Sequence, residues 1–294
     1  MGRRPHPDLR GKLLTGVAGK LDHHPIKPLI GSEVSGDPGD LASGVHGAEL
    51  RRLLQERGVI LFRDLDISPE QQRAITASIG PLRGAAGDEL QRVTIDETAS
   101  PEYSAYVAQT MFWHIDGYHN QTVPCFGGSF RPVKLSPSGG ETEFLNCYAA
   151  YDALDSETKA LIDPQRVVLS AQTSGKAAFP EASDAQFAAW RAVPPAQQPL
   201  VWQHCDGRKS LMLGVSVSHV ADMAAADSYD LLLRLRAHQT RPEFVYSHQW
   251  RPGDLLIWNN TGTLHRARPF DPASGRLLNR FTIEGDEPIC GVRG

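Results

Sequence analysis

The sequence predicts a mainly β protein with helices (α+β): a double-stranded β-helix (jelly roll) core with outer helices and a long lid-like insertion. Three observations predict it. Short apolar segments recur along most of the chain, separated by Gly- and Pro-rich turns. A few amphipathic stretches carry helix start and stop signals. No internal repeat or low-complexity tract interrupts the pattern. Residues 26–294 therefore read as a single domain behind a flexible N-terminal arm, residues 1–25, which is basic and rich in Gly, Pro and His.

The elements follow in order. Leu29-Ile30-Gly31-Ser32-Glu33-Val34 reads as a short strand within residues 28–34. Residues 47–57 read as a helix, because Leu50, Leu53 and Leu54 share one face and Gly58 stands where a helix stops. Val59-Ile60-Leu61-Phe62 is a fully apolar strand. Ser68-Pro69-Glu70-Gln71 opens a second helix, with Ser68 as N-cap and Gln71 at the capping-box position, and Gly80 closes it. Pro137-Ser138-Gly139-Gly140 is a turn, after which Thr142, Phe144 and Asn146 alternate on one strand face. A helix is expected from about residue 151 to 162. Residues 171–199 show little periodicity and read as a long excursion of the kind that serves as a lid. Residues 200–204 and 210–213 flank the Asp206-Gly207 turn as a hairpin, and a third helix fits residues 229–238. Residues 244–250 and 255–258 form another hairpin about Pro252-Gly253-Asp254. Residues 276–284 make the last strand.

Composition narrows the function. The net charge of -4 and pI near 6.3 argue against a general nucleic-acid binder, which carries a basic face. Cys125, Cys147, Cys205 and Cys290 stand singly, without a C-x-x-C, as reduced thiols rather than a disulfide frame or zinc clamp. No apolar run reaches membrane-spanning length, and no hydrophobic segment follows Arg3-Arg4 as a secretory signal requires, so cytoplasmic residence is expected.

The chemistry is signalled by His114-Ile115-Asp116. On an extended strand residues i and i+2 share a face, so the two side chains can hold one ion together. With His265 they supply two imidazoles and a carboxylate, the facial set of a non-heme Fe(II) site. The tripeptide is weak evidence alone: with 11 His in 294 residues, roughly one is expected by chance. A second, His204-Cys205-Asp206, does occur, but its Asp206-Gly207 turn keeps the two side chains off a shared face.

Context decides between them. Gly58-Val59-Ile60-Leu61-Phe62-Arg63-Asp64 and Ile79-Gly80-Pro81-Leu82 form a first block. Phe112-Trp113-His114-Ile115-Asp116 and Ser138-Gly139-Gly140-Glu141-Thr142-Glu143-Phe144 form a second. The third is Pro252-Gly253-Asp254-Leu255-Leu256-Ile257-Trp258-Asn259-Asn260, His265-Arg266-Ala267 and Arg276-Leu277-Leu278-Asn279-Arg280. In these blocks, from about Gly31 to Glu284, the sequence resembles the taurine dioxygenase family of Fe(II)/2-oxoglutarate-dependent oxygenases. The resemblance implies that His114, Asp116 and His265 bind iron and that Thr142 and Arg276 hold the distal carboxylate of 2-oxoglutarate. Arg280 matches a second arginine that contacts either the cosubstrate or an anionic group of the substrate. Asn259 and Thr261 depart from the family, which commonly has aspartate and arginine there.

The expectation is an oxidoreductase using Fe(II), 2-oxoglutarate and O2 to oxidise an unactivated C–H of a small molecule bearing a carboxylate or other anion. Hydroxylation is the default outcome; desaturation or rearrangement would use the same motif. Asp116 fills the third ligand position and leaves no halide site. An arginine fork with a hydroxyl donor suits a carboxylate. Arg276 and Arg280, an even number of steps apart, share a strand face. A zinc hydrolase with the same ligands and a non-catalytic jelly-roll binding module are the rivals. Edge strands and outer helices admit a monomer or a symmetric homo-oligomer. His119 falls at an odd offset and should face away; Trp113 and Tyr118 flank the ligands, and Trp202, Trp250 and Trp258 are assigned to the core.

Overall fold

The structure, a computed structural model, describes residues 21–85, 89–95, 109–119 and 121–292. Within the expected N-terminal arm, residues 1–20 lie outside the described residues. Residues 22–25 are not loose: they form β1 (Asp22–Pro25), paired antiparallel with β2 (Ser32–Ser35), and Leu21 before them is buried.

A seven-stranded sheet has the order β1, β2, β3 (Val59–Phe62), β13 (Leu255–Asn259), β5 (Gly127–Lys134), β15 (Leu277–Ile283) and β4 (Gln91–Val93). A three-stranded sheet places β6 (Thr142–Asn146) between β12 (Val245–His248) and β14 (Thr263–Ala267). Two smaller sheets hold β7 (Arg166–Leu169) between β11 (Val217–Val220) and β8 (Ala196–Pro199), and the hairpin of β9 (Val201–Gln203) with β10 (Lys209–Leu211).

Alternation explains why β3 and β13 carry almost no polar residue. Val59, Leu61, Leu256 and Trp258 pack with Phe144 and Tyr246 of the three-stranded sheet. Ile60, Phe62, Leu255 and Ile257 pack outward against Leu50, Leu53, Leu54 and Ile75 of the helices Gly47–Arg57 and Pro69–Ile79. Both strands are thus covered on both faces, which favours continuous apolar runs. A third cluster covers the far side of the three-stranded sheet, joining Leu145 and Leu264 to Trp202, Val217, Leu231 and Leu235. Close approach of β5 to β13 needs glycine: a Cβ on Gly127 would stand 2.0 Å from the Trp258 carbonyl oxygen.

The helices Gly47–Arg57 and Pro69–Ile79 form where expected, the second with its Ser68/Gln71 capping box. Three expectations change. Residues 244–250 and 255–258 do not form a hairpin: β12 and β13 belong to different sheets, and the Gly253 turn carries the chain between them. The helix expected over residues 151–162 is two, Cys147–Asp152 capped by Asn146 and Ser156–Ile162 capped by Asp155. The excursion 171–199 is not irregular. It holds helices Ala171–Ala178 and Asp184–Ala192 and strand β8, and the second helix starts at a Ser183/Gln186 capping box. Gly175 there lies flat against Trp190, where a Cβ would come within 2.5 Å of the indole. All four cysteines are free, and no helix among the described residues is long and apolar enough to cross a membrane.

Candidate active site

His114 and His265 meet across an isolated antiparallel bridge, each backbone N–H donating to the other's carbonyl over 3.0 Å. His265 lies on β14, opposite Phe144 of β6, which fixes its height on the sheet. His114 stands in a single bridge rather than the strand its sequence suggested, and the chain turns at once through Asp116, Gly117 and Tyr118. The turn still delivers the carboxylate. Asp116 Oδ1 is 3.8 Å from His114 Nε2 and Oδ2 is 3.6 Å from His265 Nε2. The three ligand atoms lie within 4.8 Å of one another, close enough to share one ion.

Asn260, just past β13, clamps that turn. Its Oδ1 accepts the Asp116 backbone N–H (3.0 Å), and its Nδ2 donates to the carbonyls of Asp116 (3.1 Å) and Cys125 (3.0 Å). The departures beside it form a local cap. Asn259 Oδ1 accepts from Thr261 N–H (2.9 Å), Thr261 Oγ1 (2.7 Å) and Gly262 N–H (3.2 Å), shaping the turn into β14.

The electrostatics suit a divalent cation. His114 Nδ1 lies 2.8 Å from the Phe112 carbonyl, which can only accept, so that nitrogen carries the proton and Nε2 presents its lone pair to the cluster. Burial pushes both imidazoles below their ordinary range and keeps them neutral, the ligating form. His265 Nδ1 is buried with no hydrogen-bond partner among the described residues; rings of Trp258 and Phe144 hold the imidazole. Burial alone would raise the Asp116 pKa, but the Arg280 guanidinium outweighs it and holds the carboxylate ionised. Two neutral imidazoles and one carboxylate are a fitting donor set for Fe(II).

On one side of the cluster, His114, His265, Thr142, Arg276 and Arg280 line a small cavity floored by Phe130 and Leu278. Arg276 precedes β15. The register slip between β15 and β5 leaves the extra residue, Val133, on β5, so Arg276, Leu278 and Arg280 keep one face. Arg276 is 4% exposed, donates from Nη2 to the Gly140 carbonyl (2.9 Å) and lies over Phe270. Gly140 has φ of +78°, and a Cβ there would sit 2.9 Å from Arg276 Nε, so the Gly139-Gly140 turn makes room for the guanidinium. Arg276 forms no ion pair with a carboxylate among the described residues, and burial pushes its pKa down to about 10. Only the charge of Glu141, outside ion-pair distance, opposes that burial, and a buried guanidinium so weakly matched calls for an anionic ligand.

On the other side a cleft of about 370 Å³ is lined by His114, Ile115, Tyr118 and Val215, with Gln109, His119, Gln121 and Ser174 as polar groups. His119 thus faces the cleft and not away from it, because strand alternation ends at the Asp116 turn. Trp250, assigned to the core, donates from Nε1 to Thr142 Oγ1 (3.0 Å). Sequence spacing holds no signal for that contact, since it arises from the pairing of β12 with β6. His204 and Asp206 lie away from the cluster, with His204 between Glu287 and Ser210.

The fold thus brings a His-Asp-His cluster together beside a buried arginine pocket, on this pair of sheets. The chain belongs to the family described as taurine catabolism dioxygenase TauD, TfdA family, whose model matches residues 22–282. It is 32% identical over 289 residues to the alpha-ketoglutarate-dependent 2,4-dichlorophenoxyacetate dioxygenase of Cupriavidus pinatubonensis, covering 90% of this chain and 98% of that protein. It is 28% identical over 278 residues to the (S)-phenoxypropionate/alpha-ketoglutarate-dioxygenase of Sphingobium herbicidovorans, covering 90% and 96%. The crystal structure of AAD-2 in complex with Mn(II) and N-oxalylglycine superposes with a TM-score of 0.74 at 30% identity, covering 92% of this chain and all of that one.

Proposed function

We propose that the protein is an Fe(II)- and 2-oxoglutarate-dependent dioxygenase that hydroxylates an unactivated C–H of a small organic anion. In this reading the two facing sheets form the double-stranded β-helix expected from the sequence. His114, Asp116 and His265 hold iron, and Arg276 with Thr142 holds the distal carboxylate of 2-oxoglutarate. Bound iron and cosubstrate supply the oxidising chemistry: one oxygen atom of O2 enters succinate as CO2 is released, and the other enters the substrate C–H bond.

The observation that carries the reading is Arg276, a buried guanidinium in no ion pair with a carboxylate among the described residues, opening onto the same cavity as both histidines. A dicarboxylate bridging the metal cluster and Arg276 meets both requirements. The AAD-2 complex, with Mn(II) and the dicarboxylate N-oxalylglycine, supports it by similarity.

The chain's own groups do the rest. Arg280 keeps Asp116 ionised and oriented, and the Asn260 clamp keeps the Asp116 turn against β13. The cleft on the far side of His114 takes the substrate, as pockets of a few hundred Å³ do for small ligands. The two relatives are named for aryloxy acids, and a single-ring acid fits the cleft's apolar lining of Ile115, Tyr118 and Val215. Because Arg280 is engaged by Asp116 and Thr282, we assign the substrate's anionic group to His119 and the amides of Gln109 and Gln121. The helix Ala171–Ala178 contributes Ala171 and Ser174 to the cleft wall and acts as a lid that excludes water.

Succinate formation from 2-oxoglutarate, measured with Fe(II) and O2 across a panel of aryloxy and aliphatic acids, tests this. Turnover stimulated by one class of acid and lost in Asp116→Ala supports the assignment. Full turnover in Asp116→Ala overturns it.

A further inference from the structure

We propose that Trp250 is a positioning residue for the cosubstrate: its indole N–H fixes the Thr142 hydroxyl as a hydrogen-bond donor to the distal carboxylate. This rests on the reading of Thr142 and Arg276 given above. A threonine hydroxyl has one hydrogen to donate and two lone pairs to accept with, and an indole N–H can only donate. Trp250 Nε1 stands 3.0 Å from Thr142 Oγ1, so the contact has a single polarity: Trp250 gives and Thr142 receives. Thr142 donates to no acceptor among the described residues, and its side chain lines the cavity shared with Arg276. With the indole on one lone pair, the hydroxyl hydrogen is turned away from Trp250. The neighbouring direction open to it is the cavity, where a carboxylate held by Arg276 would accept.

The indole is itself held from behind. The His248 ring meets it edge-on at 4.4 Å and 89°, and Phe130 meets it edge-on at 6.3 Å. His248 is fully buried, with Nδ1 2.8 Å from the Tyr246 hydroxyl and Nε2 3.1 Å from Asp254 Oδ2. Asp254 in turn accepts from Arg63 Nη1 (2.7 Å) and the Arg251 backbone N–H (2.8 Å). His248 is also the β12 residue directly opposite Thr142 on β6, so one register fixes both the threonine and the support of its partner.

The test compares two keto acids. 2-Oxoglutarate and pyruvate chelate a metal through the same keto-acid end, but only 2-oxoglutarate has a distal carboxylate. Dissociation constants of both are measured anaerobically on the Fe(II)-loaded protein. Trp250→Phe keeps a ring and removes the N–H. It should weaken 2-oxoglutarate by about three- to tenfold, the worth of one hydrogen bond, and leave pyruvate unchanged. Thr142→Val should weaken 2-oxoglutarate at least as much, and the double variant should add nothing to Thr142→Val. Trp250→Met serves if the Phe variant does not fold. Unchanged 2-oxoglutarate binding in Trp250→Phe, or equal weakening of both keto acids, overturns the role of Trp250. Unchanged binding in Thr142→Val instead removes Thr142 from the distal-carboxylate site, a separate failure of the underlying reading.

Discussion

Arg280 Nη2 donates to Asp116 Oδ2 over 2.5 Å, and this single contact ties β15 to the carboxylate of the His-Asp-His cluster. Each partner answers the other's burial. The carboxylate is buried yet ionised because the guanidinium faces it, and the guanidinium lines the small cavity beside both histidines and not the larger cleft. Arg280 thereby supports the carboxylate of the candidate metal cluster.

Arg280→Gln should therefore weaken metal binding by about 10- to 100-fold, the usual effect of losing a group that orients a ligand. Calorimetric titration with Mn(II) reads this directly. Unchanged affinity would mean that Asp116 is held in place without Arg280.

Arg276→Leu should separate stability from function. The substitution removes a buried charge that makes no ion pair among the described residues, so the metal-free protein should keep or gain stability, by about 1 kcal/mol or roughly 2–4 °C in Tm. The same variant should bind 2-oxoglutarate at least about 30-fold more weakly, because charge-assisted hydrogen bonds are lost. A large drop in Tm would show that Arg276 is a structural residue whose hydrogen bond to Gly140 matters more than any ligand.

Asn260→Leu should loosen the Asp116 turn. Its side-chain hydrogen bonds disappear, and backbone groups of Asp116 and Cys125 are left buried without them. A loss of about 2–4 kcal/mol in urea unfolding is expected, with a fall in metal affinity in the protein that still folds. A variant of native stability that binds metal normally would contradict the clamp.

Acid should act through His248. Burial holds its folded pKa below the ordinary 6.5, so the unfolded chain binds the proton first. The corresponding stability is fully present above pH 6.5 and is lost as pH falls below it toward the folded pKa. His248→Gln should flatten the slope of unfolding free energy against pH just below 6.5, by up to about 1.4 kcal/mol per pH unit. Parallel curves for the two proteins would exclude His248 as the source.

Much of this was legible in the sequence because the signals are local or periodic. Leu50, Leu53 and Leu54 with Gly58 mark a helix, and Ser68 with Gln71 marks another. The even spacing of Arg276 and Arg280 survives because the bulge falls on β5. What was not legible depends on partners distant in the chain. Residues 244–250 and 255–258 look like a hairpin across Gly253, yet each strand finds better apolar partners in a different sheet. His119 escaped because alternation stops where Asn260 bends the chain at Asp116. Trp250 escaped because only the pairing of β12 with β6 brings it to Thr142. Residues 171–199 looked irregular because two short helices divide the stretch, although Ser183 and Gln186 carried a start signal.

The most direct test is anaerobic addition of Fe(II) and 2-oxoglutarate to the metal-free protein, followed by visible absorption. A metal-to-ligand charge-transfer band should appear, vanish in His265→Ala and need far more 2-oxoglutarate in Arg276→Leu. No band, with tight stoichiometric Zn(II) binding in its place, would contradict the assignment of this cluster and its arginine pocket to iron and 2-oxoglutarate.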